Sequence, residues 1–160
     1  MTSKADYTDD GWKRLLRAPL VGGMAISIAD PGGPIELTKE SMATLRAAVT
    51  PPGEEELLVA VAQDLKAALE QKQNPMSGFK VENAALAGQQ ILDELREVDR
   101  IVREKATPEE AQAFGRWMVA IAQAAADAAK EGGFLGFGAE QVSKGEHTML
   151  EQLRGVFAGS

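Results

Sequence analysis

Cysteine is absent from this 160-residue chain, and histidine occurs once, at His147. Without cysteine there are no disulfides, no thiolate nucleophile and no cysteine metal site. A single histidine excludes multi-histidine metal centres and the paired Glu-x-x-His motifs of di-iron bundles. Aromatic residues are scarce, at 5%, and no long run alternates apolar with polar residues, so the pattern of a strand is missing. No basic block interrupts a formal net charge of −7. That sign repels phosphate backbones and anionic bilayers, so nucleic acid is not an expected partner.

Long apolar runs are missing too. The longest, Ala18 to Ala29, falls short of the about 20 residues a membrane span requires, so no transmembrane segment is expected. Lys13, Arg14 and Arg17 precede this run in the manner of a signal peptide, but Asp6, Asp9 and Asp10 spoil the basic region that such a peptide needs. The expected location is cytoplasmic.

What is present is helical spacing, with apolar residues recurring at three and four. A chain of this length fits one domain that buries about 68–70% of its unfolded surface. The fold class expected is all-α, a single-domain bundle of about six helices over residues 1–160. Trp12, Leu15, Leu16, Leu20 and Met24 make a first stripe, with Pro19 inside it expected to kink or split the helix. Asp30-Pro31-Gly32-Gly33 ends it. A second helix runs from Ile35 or Thr38 to Val49, with Met42, Leu45 and Val49 on one face. After Thr50-Pro51-Pro52-Gly53, Glu54, Glu55 and Glu56 favour the positive N-terminal end of a third helix, which carries Leu57, Leu58, Val61, Leu65 and Leu69. A fourth spans Val81 to Glu104, with Ile91, Leu95, Val98 and Val102 as its stripe. Thr107-Pro108-Glu109-Glu110 reads as a capped start for a fifth helix bearing Phe114, Trp117, Met118, Ile121 and Ala125. Ser143-Lys144-Gly145-Glu146 is a second capping box, opening a short helix with Leu150, Leu153 and Phe157.

Two stretches share a plan and suggest two helix–loop–helix pseudo-repeats. In each, an apolar helix reaches an Ala-Asp pair (Ala29-Asp30, Ala126-Asp127). A glycine pair follows, then a hydroxyl-lysine start (Thr38-Lys39, Ser143-Lys144) with a leucine seven residues on. This unit resembles the repeated unit of the tellurite-resistance TerB-like superfamily, a bacterial all-helical group. The stretch "AAKEGGFLGFGAEQVSKGE" is similar to the C-terminal part of uncharacterised bacterial proteins related to that group. The resemblance implies a helical fold and a stress-associated or scaffold-type role, with no reaction attached.

The glycine-rich stretch Lys130 to Leu150 invites a phosphate-loop reading. Such loops sit between a strand and a helix and close on Lys-Ser/Thr; here a helix precedes the glycines. Gly132 and Gly133 instead read as a helix stop. Phe134, Leu135 and Phe137 then cover either the core or a partner, and are candidate contact residues. Asp30 and Asp127 are candidate ligands for a hard cation beside a glycine loop; the alternative is that each bonds backbone amides in the turn after its helix. His147 falls out of phase with Leu150 and Leu153, on the solvent side. Trp117 shares a face with Phe114, Met118 and Ile121 and is expected in the core. No constellation supports catalysis and no cofactor is implied. The expected function is that of a non-catalytic interaction or scaffold protein, contacting a protein partner or forming a homo-oligomer. The competing class is a binding module holding a small amphipathic ligand between helices.

Overall fold

The computed structural model describes residues 3–30, 33–130 and 143–158. Among them are six α-helices and no strand: α1 (Asp9–Ala29), α2 (Pro34–Ala48), α3 (Glu56–Glu70), α4 (Ala87–Lys105), α5 (Pro108–Lys130) and α6 (Lys144–Phe157). The all-helical single bundle is therefore as expected.

The capping signals act as read. Thr107 Oγ1 accepts from the Glu110 amide at 3.2 Å. Ser143 Oγ accepts from the Glu146 amide at 3.2 Å, and Glu146 Oε1 returns the bond to the Ser143 amide at 3.4 Å. Each side chain satisfies a backbone donor that the first helical turn cannot.

Two boundaries differ from expectation. Helix α1 runs unbroken through Pro19. Proline removes one backbone bond, but Ala18, Pro19 and Val21 are buried, and tertiary packing outweighs the local loss. Helix α4 begins at Ala87 rather than Val81. Asn83 Oδ1 accepts from the Ala85 amide at 2.9 Å, and this cap drives a 3-10 turn over Ala84–Leu86 before the α-helix starts.

Like α5, α1 touches all five of the other helices. Its deepest positions are Leu15, Ala18, Val21, Ala25 and Ile26, all at 0% exposure. Leu16, Leu20 and Met24, expected on the core side, lie only half-buried at its flank. The reason is steric: small residues along one side of α1 let neighbours approach closely, and the longer chains turn aside. Gly23 marks that approach most sharply, since a Cβ there would collide with the Thr44 side chain of α2.

α1 pairs antiparallel with α2, through Ser27 to Glu40 and Gly23 to Thr44. α5 pairs antiparallel with α6, where Gly115 meets Phe157 and Gln123 meets Arg154. The two pairs match the helix–loop–helix plan of the sequence. They differ in that Asp30 follows α1 whereas Asp127 lies inside α5.

The largest core residues sit where α5 crosses its neighbours. Phe114 and Trp117 pack edge-on with ring centres 6.0 Å apart, and Trp117 is 1% exposed. Trp117 Nε1 donates to the Ala47 carbonyl at 3.0 Å, fastening α5 to the end of α2.

One buried ion pair ties α1 to α4. Arg17, 5% exposed, reaches Glu94 Oε1 through Nε at 3.0 Å and Nη2 at 2.9 Å, and donates from Nη1 to the Ser77 carbonyl at 3.1 Å. Arg14 shares the same carboxylate at Oε2, 2.9 Å away. The loop after α3 is thereby held against both helices.

Candidate functional site

The second helix departs most from the usual pattern. An apolar stripe on a surface helix ordinarily faces the core; Met42 and Leu45, which share one face with Val49, are 57% and 39% exposed. Ile35 and Leu37 are 69% and 50% exposed. The residues that α2 turns inward are Glu40, Thr44 and Ala48. The helix is amphipathic, but its polar and small side faces the bundle. Its apolar side faces outward.

Local packing explains the inversion. The inner side must meet α1 at Gly23 and Ser27 and α5 at Trp117, a narrow gap with polar groups on both walls. Glu40 accepts a hydrogen bond from the Ser27 hydroxyl. Thr44 Oγ1 donates to the Glu40 carbonyl at 2.8 Å, so its hydroxyl is not buried unbonded. Leucine or methionine has no room in that gap. Burying one such side chain is worth about 1.5–3 kcal/mol. Four left largely outside on one short helix leave a good deal of apolar surface wet.

This outward side is continuous with a cleft. Between α1 and α2 lies an apolar cavity of about 300 Å³, lined by Leu20, Met24, Ser27, Leu37, Ser41 and Leu45 among others. The half-buried flank of α1 thus forms one wall and the apolar edge of α2 the other. A second cleft of about 700 Å³, between α5 and α6, carries Arg103, Arg116 and Arg154. Two of these guanidiniums are engaged by carboxylates, Arg103 with Asp99 at 2.9 Å and Arg154 with Glu151 at 2.6 Å.

Phe134, Leu135 and Phe137 lie outside the described residues. Asp30 follows the last turn of α1, where its amide donates to the Ile26 carbonyl at 3.2 Å. Asp127 is exposed on α5 and accepts from Gln123 Nε2 at 2.9 Å, a bond within one helix rather than a turn. Among the described residues, no three His, Asp or Glu side chains gather as a metal site would require. His147 is exposed, as its phase implied. No helix among the described residues is long and apolar enough to cross a membrane.

Asp64, at the bundle's edge, departs from ordinary acidity. Burial raises the Asp64 pKa, but hydrogen bonds from Lys4 and Trp12 and the Lys4 charge outweigh it, and the net shift is downward. Lys4 Nζ and Trp12 Nε1 both lie 2.9 Å from Oδ2. This arrangement pins the N-terminal segment and carries no sign of a reacting group.

Comparison with protein-family models, with curated proteins and with solved structures gives no match. The case for function therefore rests on the molecule's own surface.

Proposed function

We propose that the protein is a non-catalytic interaction or scaffold protein of TerB-like type, bacterial, cytoplasmic and stress-associated, whose contact surface is the outward side of α2. The observation that carries this reading is the inversion of that helix. Contiguous exposed apolar surface beside a cleft is the usual mark of a contact site, and here it occupies one face of one helix. The charge balance supports a protein partner over nucleic acid. The scaffold and stress assignments rest on the resemblance of the Ala-Asp, glycine, capped-helix units.

The test is affinity capture from the source organism with the wild-type chain and with a Met42→Ser, Leu45→Ser variant. Both positions are exposed, so the variant keeps its fold by circular dichroism. The reading expects a specific partner that the wild type retains and the variant loses. An identical set of captured proteins for the two would count against it.

A second reading is favoured by the cleft itself. Its volume and mostly apolar walls, with Ser27 and Ser41 at hand, suit a small amphipathic ligand. Fatty-acid or fluorescent-probe binding that is lost on Met24→Trp, and unaffected at Met42, would favour this module over a protein contact.

A further inference from the structure

Three arginines converge on the cleft between α5 and α6. Arg103 comes from α4, Arg116 from α5 and Arg154 from α6. Among the described residues, no aspartate or glutamate lines the cavity of about 700 Å³ that they share. The chain as a whole carries a net charge of −7, so this wall runs against its charge balance. A cavity of this size suits a small molecule.

Part of the positive charge is already offset. Asp99 holds Arg103 through Nε at 2.9 Å, and Glu151 holds Arg154 through Nη1 at 2.6 Å. Arg103 also donates from Nη2 to the Phe157 carbonyl at 2.9 Å, covering the negative end of α6. Arg116 differs from both. It is exposed and makes no hydrogen bond or ion pair among the described residues. The reason lies in its own helix. Three and four residues away stand Gln112, Ala113, Val119 and Ala120, so no acid on α5 reaches it in the way that Asp99 reaches Arg103. Arg103 Nη1 and Arg154 Nε also have no protein acceptor among the described residues.

Beside the arginines the wall is apolar. Val119 and Ala120 line it, and Gly115, where a Cβ would collide with Phe157, lets the end of α6 lie close. Planar guanidiniums match the paired oxygens of phosphate and carboxylate. A phosphomonoester carries more charge and more acceptor oxygens than a carboxylate, so it can accept from arginines on more than one helix. We infer that this cleft binds a small phosphomonoester with an apolar part. The phosphoryl group sits on Arg116, with further donors from Arg103 and Arg154, and the apolar part lies along Val119 and Ala120. This site is separate from the contact surface on α2 and does not depend on it.

The probe is octyl phosphate, titrated by calorimetry into the full chain at low salt. Inorganic phosphate tests the apolar part, octanoate the phosphoryl group, and octyltrimethylammonium the sign of the charge. Octyl phosphate should bind at least about tenfold more tightly than each of the three, and should weaken as salt rises. Arg116→Ala should lower its affinity by about tenfold or more. Arg116→Lys keeps the charge but loses the fork, and should fall between that variant and wild type. Ala120→Glu sets a carboxylate one helical turn from Arg116 and should weaken binding as Arg116→Ala does. Both positions are exposed, so circular dichroism and melting temperature should match wild type.

Absence of octyl phosphate binding, or equal binding of octyltrimethylammonium, overturns the inference. So does an affinity unchanged in Arg116→Ala and Ala120→Glu. Octanoate bound as tightly as octyl phosphate overturns the phosphoryl assignment. Binding that is lost in Met24→Trp and kept in Arg116→Ala places the probe between α1 and α2; the arginine site then falls and the ligand-binding reading of the other cleft stands.

Discussion

Helices α4 and α2 lie in one bundle and are both amphipathic, yet they spend their two sides in opposite ways. α4 buries Ile91, Leu92, Leu95, Val98 and Val102. Its outer side is laced with ion pairs, Asp93 with Arg96, Glu97 and Glu104 with Arg100, and Asp99 with Arg103. α2 buries Glu40 and Thr44 and leaves Ile35, Met42 and Leu45 in water. The first helix is finished within the monomer. The second leaves most of its apolar side exposed and meets only the flank of α1 across the cleft. An amphipathic pattern predicts that a helix has two sides; the neighbours decide which one turns inward.

The contrast can be broken at its anchor first. Trp117 holds the end of α2 through the Ala47 carbonyl and fills the centre of the core, so Trp117→Ala should cost about 3–5 kcal/mol in urea unfolding. A loss below about 1 kcal/mol, the size of a surface change, would refute its burial. On the α4 side, Glu94→Ala strands Arg17 without its carboxylate. The expected loss is about 3 kcal/mol, since a buried charge without its partner is poorly solvated. Replacing Arg17 and Glu94 together by methionine and leucine should recover part of it.

The gap between α1 and α2 is the next point of attack. Gly23→Val drives a side chain into Thr44 and should destabilise by about 1–3 kcal/mol. If the collision is the cause, Thr44→Ala in the same chain restores part of the loss. A smaller effect concerns acid. Asp64 has a folded pKa below its ordinary value of 3.8, so its contribution is fully present above that value. It is lost as pH falls through the lower folded value. Asp64→Asn should therefore lower stability slightly at neutral pH and flatten the acid limb of a stability-against-pH curve, so that the variant and wild type converge below about pH 4, where a carboxylate begins to protonate. A steeper acid limb in the variant would contradict the sign.

Much of the bundle was legible in the sequence because its helices carry strong local signals. The capping residues at Thr107 and Ser143, the breaks at Pro51-Pro52 and Asn74-Pro75, and the stripes of α3, α4 and α5 all act where they were read. The misreadings share one cause. Helical spacing groups Met42 and Leu45 on one face with Val49 and does not say which way that face turns. Their exclusion follows from the narrow gap that Gly23, Ser27 and Trp117 leave for α2, a tertiary fact. The flank of α1 at Leu16, Leu20 and Met24 was misplaced for the same reason. The hint available was that Glu40, Thr44 and Ala48 also share a face, which meets Gly23 and Ser27 on α1. The Arg17–Glu94 pair had no signal at all, because 77 positions separate its members.

The most direct measurement is a paired one on the two helices. Met42→Ser with Leu45→Ser on α2 is compared by chemical unfolding with Leu95→Ala on α4. The α2 variant should stay within about 0.5 kcal/mol of wild type, as exposed positions do, while Leu95→Ala should lose about 2–5 kcal/mol. A loss of more than about 2 kcal/mol at Met42 and Leu45, the scale of core truncation, would show that this side of α2 belongs to the core after all.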